Sequence, residues 1–192
     1  MKKLIPLLLL SLSLTACGIQ SIPRQLNDVE ASWSEVLNQF QRRADLVPNL
    51  VETVKGYAKQ EKDVFTSVTE ARAKATQMNV QLKDLNEENM KKLQEAQGQL
   101  QGALGRLMAI SENYPQLKSN ENFRDLQVQL EGTENRITIA RQRYIQSVKE
   151  FNNLVSVFPT SLTNKIFFHH EKKPQFTVEN PQELSKPPAV KF

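Results

Sequence analysis

The apolar positions of the chain fall into stripes. From Leu26 they run Leu26, Val29, Trp33, Val36, Leu37, Phe40, Ala44, Val47, Val51, Val54 and Ala58, then Phe65, Val68, Ala71 and Ala75, mostly in steps of three and four. That spacing places them on one face of a helix. Asn27 followed by Glu30 has the pattern of an N-terminal cap. Pro48 sits inside the stripe without disturbing its phase. A proline in a helix interior removes a hydrogen bond and crowds the preceding turn, whereas one in the first turn of a new helix is harmless, and Asp45 has a suitable capping side chain for such a turn. The first helix is therefore either bent or split near Pro48, and the unbroken stripe favours a bend.

The segment "LKDLNEEN" offers Asp84 as a second cap with Glu87 three residues on, and Met90, Leu93, Leu100, Leu104, Leu107 and Ile110 then keep the helical period. Gly98, Gly102 and Gly105 interrupt this helix; their spacing fits either close approach of a neighbouring helix or an intrinsically weak one. Pro115 stops it, because the residue before a proline is pushed out of the helical region. "LKSNENF" restarts the pattern with Ser119 as candidate cap, and Phe123, Leu126, Leu130, Thr133, Ile137, Ala140, Tyr144, Val148, Phe151, Val155 and Phe158 form the cleanest stripe, ended by Pro159. With no alternating strand pattern, the fold class is all-α: an antiparallel, four-helix-bundle-like arrangement of long amphipathic helices, the first bent or split near Pro48. The bundle spans residues 26–158. Residues 159–176, where Ile166, Phe167 and Phe168 gather, form a segment covering the open end of the bundle, with contact of Lys165, these aromatics, Lys172 and Lys173 with lipid as the alternative. Residues 177–192, which bear three prolines and two lysines, are expected to form a disordered tail.

The first twenty residues change the picture from fold to address. Lys2 and Lys3 precede an apolar run from Leu4 to Leu14 that is too short for a hydrocarbon core of roughly 30 Å, and small residues follow at Thr15 and Ala16. Cys17, the single cysteine, comes next. "LTAC" resembles the lipobox of bacterial lipoproteins, which makes residues 1–16 a signal peptide and residues 17–25 a lipidated N-terminus and tether. Cys17 is then the lipidation site, carrying acyl chains such as palmitate, and no thiol remains for a disulfide, a metal or catalysis. Gly18 is not the aspartate that retains lipoproteins at an inner membrane, so the expected location is the outer membrane where the cell has one, facing the periplasm or the exterior.

Charge then narrows the partners. Loss of the signal removes two of 25 basic residues and none of the 21 acids, which lowers the formal charge from +4 to +2. A nearly balanced exported chain with no basic stripe interleaved with aromatics has no footprint of a nucleic-acid binder.

Two places break the apolar logic. Arg42, Arg43, Asp45, Asn49, Glu52 and Lys55 surround Pro48, and the last stripe carries Thr133 and Glu134, followed by Asn135 and Arg136, where large apolar residues are expected. Glu134 lies four residues after Leu130 and three before Ile137, on their common face, so it needs a cation from the first helix, Arg42 or Arg43. The cluster either fixes helix register or forms a partner site. Here the chain also resembles a family: "RRADLVPNLVETVKGYAKQEK", "VTEARAKA", "NYPQLKSNENFRDLQVQLEGTENRITIARQRY" and "FNNLVSVFP" are similar to motifs of the LemA family of bacterial membrane-attached helical bundles. The resemblance covers about Val29 to Phe176 and implies membrane attachment and an exported bundle without enzymatic activity or cofactor. The family's usual start is a transmembrane helix, from which "LTAC" departs.

Catalytic patterns are not found. His169 and His170 are adjacent and point to different sides, no H-E-x-x-H, G-x-S-x-G or phosphate loop occurs, and no carboxylate pair stands apart as acid and base. The sequence therefore predicts a non-enzymatic, lipid-anchored envelope protein of the LemA type without cofactor, acting as an interaction or scaffold module for another envelope protein. The alternative is a binder of a small molecule or envelope polymer at the polar cluster between the helices.

Overall fold

A computed structural model describes the backbone of residues 4–78 and 80–177 and the side chains of 19–78 and 80–177. Cys17 and the tail from 178 onward, on which two of the expectations above fall, lie outside the described side chains. Six helices follow in order: α1 (Leu4–Lys55), α2 (Lys62–Gln77), α3 (Glu87–Ile110), α4 (Pro115–Lys118), α5 (Glu121–Ser156) and α6 (Thr160–Thr163). Short 3₁₀ turns at Leu82–Asp84 and Ser111–Asn113 and a π turn at Asn164–Phe168 join them, and no strand occurs among the described residues. The architecture is an all-α bundle. α1 and α5 are antiparallel, with Trp33 beside Tyr144 and Arg43 beside Glu134; α2 returns along α1, Arg72 meeting Ala44, and α3 runs back along α2, Arg106 meeting Ser67.

Pro48 does not divide α1. The helix is continuous through it, and Ala44, Val47, Val51 and Val54 are all buried on one face. The main-chain bond that Pro48 cannot make would have ended on the carbonyl of Ala44, four residues earlier. Arg72 of α2 supplies it instead: its Nε donates to Ala44 O at 2.8 Å. The break comes at 56–61, after Lys55 and Gly56, a basic last turn followed by glycine that marks a helix end. Ala58 stays buried within this turn, which is why the apolar spacing runs on across it.

Three capping positions differ from expectation. Asn27 lies inside α1, which already packs at Ile22, so the bundle begins upstream of Leu26. α3 is capped by Asn86, whose side chain accepts from Asn89 N at 2.8 Å, because Asp84 is taken up in the preceding 3₁₀ turn. α5 is capped by Asn120, which accepts from Phe123 N at 2.9 Å, one residue beyond Ser119. Gly98, Gly102 and Gly105 line no close helix contact; a methyl group at each would meet nothing within 4 Å. They weaken an exposed face. Tyr114 leaves the helical region before Pro115, and α5 ends before Pro159, as expected.

The core is two clusters. The first joins Val47, Leu50 and Val54 of α1, Phe65 and Val68 of α2, Leu100, Leu104 and Leu107 of α3, and Phe123 and Leu130 of α5. The second centres on Trp33, Tyr144, Val148 and Phe151 of α1 and α5 and is completed by Leu82, Leu85, Met90, Leu93 and Phe176. Ile166 and Phe167 do not cover the bundle end: both are exposed, and Phe168 and Phe176 turn inward instead.

Candidate functional site

Between the two clusters lies a polar layer. Arg43 is only 2 % exposed although it sits on the α1 stripe, three residues after Phe40 and four before Val47. Its Nη1 donates to Glu134 Oε1 at 2.8 Å, and its Nη2 donates to the side-chain and main-chain oxygens of Gln97 on α3. The Phe40 ring stands 5.6 Å from the guanidinium. Glu134 retains 31 % exposure, and the neighbouring Thr133 is fully buried, its hydroxyl donating to Gln129 O at 2.8 Å. One guanidinium thus joins three helices. Placing this charge in the interior costs desolvation that its hydrogen bonds offset.

Of the residues named from sequence, the layer collects Arg43, Thr133 and Glu134. Arg42, Asp45, Asn49, Glu52, Asn135 and Arg136 are exposed. Successive residues of a helix point about 100° apart, so of the two arginines only Arg43 shares the stripe. Asp45 accepts from Gln41 Nε2 at 2.7 Å, Asn49 O accepts from Thr53 Oγ1 at 2.8 Å, and Glu52 pairs with Lys55 at 2.8 Å, all within α1. Sequence reasoning missed Gln97 and Arg72. Gln97 had the same signal as Glu134, a polar residue between Leu93 and Leu100 on an apolar stripe. Arg72 had none, since its partner is a main-chain atom.

A groove of about 440 Å³ opens over this layer between α3 and α5. Gln94, Gln97, Gln101 and Gly98 form one wall, Glu134, Thr138, Arg141 and Ile145 the other, and Arg43 lines it. Among the described residues Arg43 Nε has no hydrogen-bond partner. Phe176 and Thr177 form one end of the groove.

The chain leading to that end is held in extended form by side chains that bond to its backbone. Asn152 donates to Lys173 O at 2.9 Å and accepts from Lys173 N at 2.8 Å. Tyr144 donates from its hydroxyl to Pro174 O at 2.9 Å, and Gln94 Nε2 to Thr177 O at 2.8 Å. Phe176 is the anchor, 6.0 Å from Trp33 and 5.5 Å from Tyr144 between ring centroids, with the Arg141 guanidinium 4.5 Å over its ring. Burial pushes the Tyr144 phenol well above its ordinary pKa, so it remains a donor. His170 stacks on Phe168 at 5.8 Å; burial, and then Lys173, lower its pKa. Among the described residues no group of three or more His, Cys, Asp or Glu is placed to hold a metal ion, and no helix is long and apolar enough to cross a membrane.

Comparison with known proteins places this bundle. The chain is 25 % identical over 179 residues to magnetosome protein MamQ of Magnetospirillum gryphiswaldense, covering 81 % of this chain and 66 % of that protein. It is 26 % identical over 149 residues to magnetosome protein MamQ 2 of Paramagnetospirillum magneticum, covering 69 % of this chain and 55 % of that one. The chain thus spans less than two thirds of the curated relatives it matches. The model of the LemA family matches residues 32–192, which takes in α1 from just before Trp33, the polar layer and the groove, and the chain belongs to the LemA family.

Proposed function

We propose that this protein is a non-enzymatic module of the cell envelope, tethered to a membrane by acylation of Cys17 after removal of residues 1–16, that holds an extended segment of another envelope protein in the groove between α3 and α5. Membership of a family whose relatives include magnetosome proteins supports the membrane setting. The observation that carries the binding role is that the bundle already holds one extended polypeptide, residues 173–177, through Asn152, Tyr144 and Gln94, and that the groove continues beyond it past Gln97, Gln101 and Thr138. Amide side chains along the α3 wall, with the Thr138 hydroxyl on the α5 wall, suit a backbone with alternating donors and acceptors.

A photoactivatable crosslinker at Gln101 tests this in intact cells, with one at Ser67, on the face between α2 and α3, as control. Adducts with a second envelope protein from position 101 and none from position 67 are expected. Equal adducts from both positions, or none from 101, would refute a groove-bound protein partner. The three groove glutamines also favour a polymer rich in hydroxyl groups as a second reading. Retention of the purified chain on isolated envelope polysaccharide, lost in Gln101→Ala, would select it.

A further inference from the structure

At one end of the bundle, six large apolar side chains are exposed together. Beyond α5, Val157, Phe158, Leu162, Ile166 and Phe167 are each between 46 % and 78 % exposed, and Ile19 of α1 is exposed as well. Elsewhere among the described residues exposed large hydrophobics stand apart from one another: Tyr57 lies in the turn after α1, and Val128 and Ile139 are separated by about three turns of α5. Single exposed apolar residues are ordinary, whereas a group at one end of a bundle marks a contact surface.

Three observations identify what it contacts. The end of α5 lies level with residue 21 of α1, by the register that pairs Arg43 with Glu134 and Trp33 with Tyr144, and α6 packs against α1. At 1.5 Å per residue, Cys17 is therefore only about 6 Å further along the same helix. From Phe151 to His170 the sequence carries Lys165 and no acid, and Glu171, Lys172 and Lys173 follow, a net positive stretch that suits an anionic headgroup layer. Aromatic and aliphatic tips beside a lysine with a long apolar stem also have the composition of a membrane–water interface.

We propose that the segment 157–167 is a membrane-docking surface: Phe158, Leu162, Ile166 and Phe167 dip into the same leaflet of the bilayer that holds the Cys17 anchor, and Lys165 meets its headgroups. This rests on the membrane tether proposed above. Docking gives the bundle a second attachment point, so it stands fixed on the bilayer with the α3–α5 groove at a defined height and heading. A bundle on a single flexible point would tumble.

The full chain, purified from membranes and reconstituted in vesicles of phosphatidylethanolamine and phosphatidylglycerol, tests the surface. Nitroxides are attached at Phe158→Cys, Phe167→Cys and, as a control at the far end of the bundle, Glu112→Cys. Labels at 158 and 167 should collide with dissolved oxygen more than with a water-soluble nickel chelate, and the label at 112 the reverse. Flotation of the same vesicles reports the tether separately. Chains that float while labels at 158 and 167 remain as water-exposed as at 112 would overturn docking and leave the tether standing. Chains that do not float would overturn both. Protected labels on floated chains that become exposed when the chain is diluted among vesicles would assign the patch to a second copy instead of lipid.

Discussion

The two halves of the bundle are closed in different ways. In the half containing Pro48, four helices each contribute a stripe, and the cluster around Val54, Val68, Leu107 and Phe123 is made almost wholly from helical positions. In the half containing Trp33, α1 and α5 are joined by the start of α3, and the remaining sides are filled by Leu82 and Leu85 from a 3₁₀ turn and its exit and by Phe176 from an extended segment. The first half is a four-helix bundle in the ordinary sense. The second is a long helical hairpin closed by non-helical chain, and that chain is held by hydrogen bonds from side chains to main-chain atoms. The polar layer of Arg43, Gln97 and Glu134 marks the boundary between them.

The largest effect expected from breaking this arrangement is in the hairpin half. Trp33→Ala removes the ring that packs on both Tyr144 and Phe176 and the indole N–H that donates to Val80 O at 2.9 Å. It should cost about 3–5 kcal/mol, read by chemical denaturation. Hydrogen exchange should rise in 170–177 well before it rises in α2, because α2 has no part in that cluster.

Removing the boundary comes next. Glu134→Gln leaves the Arg43 charge without its carboxylate and should lower stability by about 1–3 kcal/mol. A double variant with Arg43→Gln should recover part of that loss, and a cycle of the four proteins measures the coupling. Loss of groove crosslinking with little change in stability would instead assign the pair to binding.

The third prediction sharpens the account of Pro48. Arg72→Ala leaves the Ala44 carbonyl without its donor and should cost about 1–3 kcal/mol. In a Pro48→Ala background the helix supplies its own N–H to that carbonyl, so the same substitution should cost markedly less. Equal costs in both backgrounds would show that Arg72 does not compensate the proline.

Two smaller effects separate the halves further. Gly102→Ala, on an exposed face of α3 where the added methyl meets nothing, should stabilise by about 0.5–1 kcal/mol. His170 has its pKa lowered in the folded chain, so the unfolded state binds more protons and the contribution of this group is lost as pH falls from about 6.5 through the folded value. Protection factors in 170–177, taken relative to the intrinsic exchange rate at each pH, should therefore fall on mild acidification, and His170→Gln should remove that dependence.

This contrast also explains what the sequence could reveal. The helices of both halves are legible because each buries a face at a period of 3.6, and Glu134 is legible because it interrupts one. The helix break at 56–61 is masked by Ala58, a buried residue in a turn that continues the apolar spacing. The closing residues of the hairpin half carry no period, since Leu82, Leu85 and Phe176 come from non-helical chain. The groove is illegible for a related reason: it depends on the distance between α3 and α5, which no stripe encodes. Ile166 and Phe167, expected to face inward, face outward because the π turn at Asn164–Phe168 and the left-handed residue His169 redirect the chain, so that Phe168 alone of the three is turned in.

Membrane attachment through Cys17 underlies both the proposed groove function and the docking surface, and its most direct measurement is incorporation of a labelled fatty acid followed by fractionation of cells expressing the parent chain or Cys17→Ser. The account predicts label on the parent and recovery with membranes, outer membranes where the cell has them, with no label and a shift to the soluble fraction for Cys17→Ser. Unlabelled parent protein, or a Cys17→Ser variant that stays membrane-bound at the parental level, would contradict it.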